Sequence, residues 1–185
     1  MSTHHLFLLS SARRGGNTEQ LARKAAEALP AHAKQTWIDL KDHPLPMFED
    51  VRHSVGTYPP PEGAARVLLE ATLEATDLVL VAPLYWYSLP TLAQRYLDEW
   101  SGWMRVPDLN FKAQMEGRNL HAITVHTGEK EEVQPLLLSL QHTARYMKMH
   151  YRGALVGWVS RPGDVLQDQH ALEQAKTFFT GANHD

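Results

Sequence analysis

The chain has 185 residues, 43% of them hydrophobic, so it is long enough to bury one core and has the usual size of a single domain. A formal net charge of −3 leaves no basic surplus for a phosphate backbone, which argues against nucleic acid as a partner. The sequence contains no cysteine, which excludes disulfides and thiolate metal sites, and its eleven histidines show no compact ligand spacing. We therefore expect no metal site.

The sequence also predicts a cytoplasmic protein without a membrane span. No window approaches the roughly 18 consecutive apolar residues that a spanning helix needs. The first residues have no basic segment ahead of their short apolar run. The lack of cysteine is compatible with a reducing compartment. We expect one domain over residues 1–185.

Five apolar segments of strand length occur along the chain and alternate with segments of helical periodicity. The strand segments are residues 6–10, 34–38, 78–82, 120–125 and 154–159. The third reads LVLVA without interruption, as expected for a strand buried on both faces. After the fifth strand, the pattern predicts a final helix over residues 166–180 with Asp164 as its cap.

A strand followed by a helix five times predicts an open parallel sheet with helices on both faces, because right-handed crossovers leave few other topologies. In such a sheet, a binding site is expected at the carboxyl ends of the strands. Residues 39–63 hold five prolines and little periodicity, so we expect a surface excursion there.

The loop after the first strand, residues 10–18 with the sequence SSARRGGNT, combines glycines with hydrogen-bond donors. Gly15 and Gly16 let the backbone approach a ligand, and the N-terminus of the next helix favours an anion. The side-chain donors are Ser11, Arg13, Asn17 and Thr18. Because neither GxGxxG nor GxxxxGK[ST] is present, a single phosphate suits this loop. Taken alone, a polar turn with a good helix cap explains the same residues equally well.

The loop after the third strand, APLYWYSLP, carries three successive aromatic residues. These are Tyr85, Trp86 and Tyr87, with Pro83 and Pro90 stiffening the two ends. Aromatic faces and backbone amides of this kind can lie along a flat ring system. Covering the sheet end or a subunit contact is the alternative, since tryptophan and tyrosine are also enriched at interfaces.

The loop after the fourth strand begins with His126, Thr127 and Gly128. A lone histidine at a strand end is more typical of a satisfied polar residue than of a catalyst. A phosphate site after strand one and an aromatic platform after strand three are together what a sheet of order 2-1-3-4-5 needs to hold FMN, as flavodoxin does.

On these residues the chain resembles the flavodoxin-like NAD(P)H-dependent FMN reductases and quinone reductases. The first loop of that family has the form GSPRxxGNT, here SSARRGGNT, and the second has the form PxYxxxxPxxLKxxID, here PLYWYSLPTLAQRYLD. The resemblance implies an α/β flavodoxin-like three-layer sandwich with a five-stranded parallel sheet of order 2-1-3-4-5. It also implies FMN as the cofactor and NADH or NADPH as the electron donor.

The resemblance implies roles for individual residues. The FMN contacts that it implies are Ser11, Arg13, Gly16, Asn17, Thr18, Pro83, Leu84, Tyr85, Trp86, Tyr87, Thr127 and Gly128. First-loop residues would bind the phosphate, second-loop residues would line the ribityl chain and ring, and third-loop residues would lie near the pyrimidine side. The chain departs from the family pattern at Ser10, Ala12 and Gln94, where glycine, proline and lysine are usual.

The expected activity is hydride transfer from NAD(P)H through bound flavin to a quinone or a similar small acceptor. No catalytic side chain is identified with certainty by the pattern, and His126, Tyr85 and Tyr87 are candidates to relay a proton by loop placement alone. A flavodoxin-type electron carrier remains an alternative, although carriers tend to be strongly acidic. A scaffold protein that has lost the flavin is a third.

The sequence also allows expectations about subunit assembly and about the surroundings of the incoming nucleotide. Trp100, Trp103 and Met104 are apolar and follow the second loop closely; core packing explains some of them, and together they are candidates for the two-fold interface of a homodimer or higher homo-oligomer. Arg14 is expected to face solvent or to reach the incoming nucleotide. The proline-rich excursion is expected to lie near that nucleotide.

Overall fold

The computed structural model describes residues 3–180, and these contain one five-stranded parallel sheet. Its order is β2-β1-β3-β4-β5, with every neighbouring pair parallel. The strands are β1 (His4–Leu9), β2 (Lys34–Asp39), β3 (Asp77–Val81), β4 (Asn119–His126) and β5 (His150–Trp158). Every predicted strand overlaps one of these, and the predicted fold class and strand order are confirmed.

Helices cover both faces of the sheet. They are α1 (Asn17–Ala26), α2 (Gly63–Glu74), α3 (Thr91–Trp103), α4 (Phe111–Met115), α5 (Gln134–Tyr146) and α6 (Gln169–Ala175). Short 3-10 helices lie at Leu40–Asp42, Lys130–Val133 and Asp164–Gln167. The α1 and α6 helices pack on one face, and α2, α3 and α5 pack on the other. Within residues 3–180, no helix is both long and apolar enough to cross a bilayer.

The two central strands, β1 and β3, are buried along their whole length. Along β1, Leu6 and Leu8 join the apolar cluster of α2 and α3, whereas Phe7 joins the cluster of α1 and α6. Full burial of one such side chain contributes about 1.5–3 kcal/mol. The uninterrupted apolar run of β3 therefore reflects helices on both faces of the sheet, as the sequence predicts.

The predicted interface tryptophans belong to the core of the protein. Trp100 and Trp103 are 3% and 2% exposed, and each packs edge-on against Phe111. Their apolar rings pack within the chain, so core packing, the alternative that the sequence left open, accounts for most of their surface, and Trp100 also lines a groove between α3 and α5. Met104 follows them and is only partly buried.

The proline-rich excursion packs on α3. The hydroxyl group of Tyr58 donates to the carbonyl of Glu49 at 3.0 Å and accepts from the backbone N–H of Val51 at 2.9 Å. The Tyr58 ring lies over Gly102, where a Cβ atom would approach the ring carbon Cδ1 to 3.2 Å. Glycine at this position thus allows the excursion to sit against the helix.

Buried histidines at the amino ends of the strands have protein partners. His121 lies with its Nε2 atom 3.0 Å from a carboxylate oxygen of Asp77, and His4 lies with its Nε2 atom 2.8 Å from the hydroxyl of Thr36. In the described part of the chain, no group of three or more acidic or histidine side chains can hold a metal ion. These histidines lie at the amino ends of the strands, which is the end of the sheet opposite to the ligand loops.

Candidate functional site

The loops at the carboxyl ends of the strands enclose a cavity of about 390 Å³. All twelve residues predicted to contact FMN line it, and so does His126. The cavity is also lined by Val125, Glu132, Val159, Ser160, Arg161 and Pro162. Four of these additional residues, Val159 to Pro162, follow β5, in a segment for which the sequence predicted no role in binding.

The first loop, residues 10–18, forms a polar recess at the N-terminus of α1. Gly15 has a φ of +62°, a left-handed conformation that favours glycine. At Gly16, a Cβ atom would lie 3.7 Å from both the Nε atom of Arg13 and the hydroxyl oxygen of Ser11. The missing side chain leaves this space beside the free N–H groups of the helix, which is the chemistry that an anion requires.

The two neighbouring arginines of this loop have different environments. Arg14 donates to Asp42 at 2.5 Å and lies 3.7 Å from Asp39, and these contacts raise the pKa of Arg14 and lower that of Asp42. Arg14 therefore points away from the cavity towards the residues that follow β2. Arg13 lines the cavity, and within residues 3–180 it has no carboxylate partner.

Asn17, the first residue of α1, connects the first loop to the loop after β5. Its side-chain amide donates to the carbonyl oxygen of Arg161 at 2.8 Å and accepts from the backbone N–H of Gly163 at 2.7 Å. Both functions of the amide are thus used within the chain. Because the amide nitrogen carries two hydrogens, one side-chain N–H of Asn17 and its backbone N–H are still donors for a phosphate at this loop.

The second loop, residues 83–90, contains a two-residue hairpin. Tyr85 and Ser88 exchange backbone hydrogen bonds of 3.1 and 3.0 Å. Between them, Trp86 and Tyr87 have φ values of 49° and 62°. Bulky side chains in this conformation cost roughly 1–3 kcal/mol each. The turn holds Trp86 92% exposed at the rim of the cavity, and within the described residues the N–H groups of Trp86 and Tyr87 have no acceptor.

The third loop, residues 126–132, brings a histidine and a carboxylate to the cavity. His126 is 7% exposed, and its ring nitrogen Nδ1 has no hydrogen-bond partner among residues 3–180. The carboxylate of Glu132 folds over Gly128 so closely that a Cβ atom there would overlap it. The sequence pattern did not single out Glu132, because its approach depends on how the 3-10 turn at Lys130–Val133 folds back.

A fourth loop, residues 160–163, follows β5, and the sequence pattern did not predict that it lines the cavity. The carboxylate of Asp164 accepts from the backbone N–H of Ser160 at 3.0 Å, from its hydroxyl at 3.1 Å and from the N–H of Arg161 at 2.7 Å. The two backbone hydrogen bonds lower the pKa of Asp164. Asp164 therefore stabilises this loop, and the predicted cap is wrong because Asp168 caps α6 instead, accepting from Ala171 at 3.0 Å.

Charges are unevenly distributed around the cavity. The first and fourth loops bring Arg13 and Arg161, and the third loop brings Glu132. The hydroxyl-bearing rings of Tyr85 and Tyr87 are about half exposed at the rim. This arrangement can bind an elongated ligand with an anionic end near α1 and a flat ring near the aromatic turn.

Comparisons with known proteins agree with this geometry. A family model described as a flavodoxin-like fold matches residues 3–178. YwqN of Bacillus subtilis (strain 168), named as an NAD(P)H-dependent FMN-containing oxidoreductase, is 32% identical over 166 residues, which cover 88% of this chain and 89% of that protein.

Solved structures share the fold at lower sequence identity. The Trp repressor binding protein from Bacillus subtilis has a TM-score of 0.75 at 24% identity, with 98% of this chain and 99% of that chain covered. The NAD(P)H:quinone oxidoreductase from Methanothermobacter marburgensis has a TM-score of 0.68 at 16% identity, with 97% and 99% covered.

The strained aromatic turn predicts that stability increases when its side chains are replaced. Asparagine and glycine are preferred in a two-residue turn with positive φ at both positions. We expect the double variant Trp86→Asn, Tyr87→Gly to raise the free energy of unfolding by about 1 kcal/mol or more in urea titrations of the flavin-free protein. The control variant Met47→Gln, at an 81% exposed side chain outside the helices and strands, should change it by less than about 0.5 kcal/mol. A loss of stability in the double variant would show that the rings stabilise the fold.

Proposed function

The chain belongs to the family of proteins with the flavodoxin-like fold that the matching model describes, and we propose that it is an FMN-dependent oxidoreductase. It transfers hydride from NADH or NADPH through bound FMN to a quinone or a similar small acceptor. The observation that carries this proposal is the convergence of an anion recess and an aromatic turn on one cavity.

The residues around the cavity have the chemistry to hold FMN. The recess at Gly16 provides the Ser11 hydroxyl, the Arg13 guanidinium and the free N–H groups of α1 for a phosphate. The N–H groups of Trp86 and Tyr87, which have no acceptor in the described part of the chain, are donors for the polar atoms of the ring system. When bound, FMN supplies the acceptance and release of hydride, which no side chain of the cavity can perform.

The chain itself binds, orients and stabilises charge. Backbone N–H groups of the second loop and of Thr127 and Gly128 are placed to stabilise negative charge on a reduced ligand. Tyr85 and Tyr87 are the better candidates to donate a proton to an acceptor, because their rings are accessible at the rim while the Nδ1 atom of His126 is buried. No nucleophilic side chain is required.

We also propose that the protein is cytoplasmic, has a single domain and forms a homodimer. A groove of about 420 Å³ between α3 and α5, lined in part by Leu97, Met104 and Met147, supports a subunit contact there. Leu138 and Tyr146 add exposed apolar surface on α5. Trp100 also lines this groove, whereas Trp103 does not. A monomer mass by light scattering at micromolar concentration would contradict the dimer.

The two first-loop arginines predict different effects on FMN binding. Arg13→Ala removes a charge-assisted contact worth about 1.5–3 kcal/mol, so FMN affinity should fall about 10- to 100-fold. Arg14→Ala removes an exposed ion pair with Asp42 and should change the affinity by less than about threefold. Titration of flavin-free protein with FMN, followed by flavin fluorescence, measures both.

At limiting FMN, the rate of NAD(P)H-dependent quinone reduction should decrease more in Arg13→Ala than in Arg14→Ala. If Arg14→Ala weakens FMN binding more than Arg13→Ala, the first loop presents the other arginine to the phosphate. If neither variant affects FMN binding, the phosphate site of the proposal is wrong.

A further inference from the structure

The fourth loop, residues 160–163, is a fixed part of the cavity wall. It is hydrogen-bonded from two directions, by Asp164 from within its own turn and by Asn17 from α1. Gly163 has a φ of +89°, which allows the chain to turn back towards the second of these partners. The loop is therefore held in one position relative to the first loop, although the two are 144 residues apart in sequence.

Asn17 is the residue that makes this connection. Its side chain is 6% exposed and belongs to the first residue of α1, so it places the backbone of Arg161 beside the start of the helix. An amide buried with both of its functions satisfied by one loop is expensive to replace, because removing it leaves an unpaired carbonyl and an unpaired N–H. The anchor thus brings the backbone of Arg161, a residue that lines the same cavity, to the end where the anion recess lies.

The guanidinium of Arg161 is available to a ligand. Arg161 lines the cavity, and in the part of the chain that the structure describes it has no ion-pair partner. Asp164, the nearest acid in sequence, accepts hydrogen bonds from the backbone N–H groups of Ser160 and Arg161 and from the Ser160 hydroxyl. The positive charge of Arg161 makes only the smallest contribution to the lowered pKa of Asp164, and among the described residues the two side chains form no ion pair within 4 Å. Arg14 is the opposite case, since its exposed guanidinium is paired with Asp42.

A phosphate monoester matches two arginines better than one. Near neutral pH such a group carries a charge of about −1.5 to −2 and presents three acceptor oxygens. Arg13 supplies a single positive charge from the first loop, and the helix N-terminus adds only a partial one. A second guanidinium on the fourth loop provides the remaining charge compensation.

We infer that Arg161 binds the phosphate of FMN together with Arg13, and that Asn17 is the positioning residue that places Arg161 there. This inference rests on the proposed function, because it takes FMN as the ligand. It adds a second cation and a second loop to a phosphate site that the sequence located in the first loop alone. The same guanidinium chemistry also suits the additional phosphate of NADPH, and the test separates the two sources.

The test compares FMN with riboflavin, which lacks the phosphate. Flavin-free wild type, Arg161→Ala, Asn17→Ala, the double variant and the control Arg14→Ala are titrated with each flavin by fluorescence. We expect Arg161→Ala to weaken FMN binding about 10- to 100-fold and riboflavin binding by less than about twofold. Arg161→Lys should recover part of the loss.

Two further readouts separate binding from loop stability. In the Asn17→Ala background, Arg161→Ala should reduce FMN affinity much less than it does in the wild type, because Asn17 no longer holds the guanidinium of Arg161 at the phosphate site. FMN binding to the wild type should strengthen as the pH rises through about 6, where the phosphate loses its second proton, and this increase should be smaller in Arg161→Ala.

Each other outcome overturns the inference in a recognisable way. Unchanged FMN affinity in Arg161→Ala would show that Arg161 does not bind the phosphate, while the proposed function would stand. Equal losses for FMN and riboflavin would assign the loop a structural role only. A changed preference for NADPH over NADH without a change in FMN affinity would assign Arg161 to the nucleotide. Failure of the wild type to bind any flavin would refute the proposed function itself.

Discussion

The hydrogen bonding at the carboxyl edge of the sheet determines where every ligand loop begins. Ser10 donates to the carbonyl of Val81 through both its backbone N–H and its hydroxyl, each at 3.1 Å, which holds the end of β1 against the end of β3. The backbone N–H of Leu84 bonds to Val125, and that of Val159 bonds to His126. Neighbouring strands therefore stay paired up to the edge, and four loops emerge side by side around one cavity.

The sheet and three of its ligand loops could be predicted because their signals are local. An apolar run such as that of β3, glycines before a helix and three consecutive aromatics each indicate their role within a few residues. The fourth loop lacks such a signal, and Asn17 is paired with it across 144 residues, a separation that no local pattern reports. Apolar composition likewise could not show that Trp100 and Trp103 pack inwards rather than against a second subunit.

The conformation of the aromatic turn conflicts with its local sequence, and the conflict occurs at the cavity. Trp86 and Tyr87 adopt positive φ values that such residues avoid, so no sequence rule would assign this turn to them. Natural proteins break local rules mainly where function compensates for the cost. Together with Arg13 and Arg161 from the first and fourth loops and Glu132 from the third, the turn makes the parts of the cavity chemically different from one another.

The central claim is that the cavity holds an FMN that NAD(P)H reduces, and anaerobic mixing of the FMN-loaded protein with NADH or NADPH tests it directly. We expect the absorbance of oxidised flavin to be lost rapidly and to return when a quinone is added. A protein that binds FMN but keeps it oxidised after mixing with either nucleotide would contradict the account and would be an electron carrier.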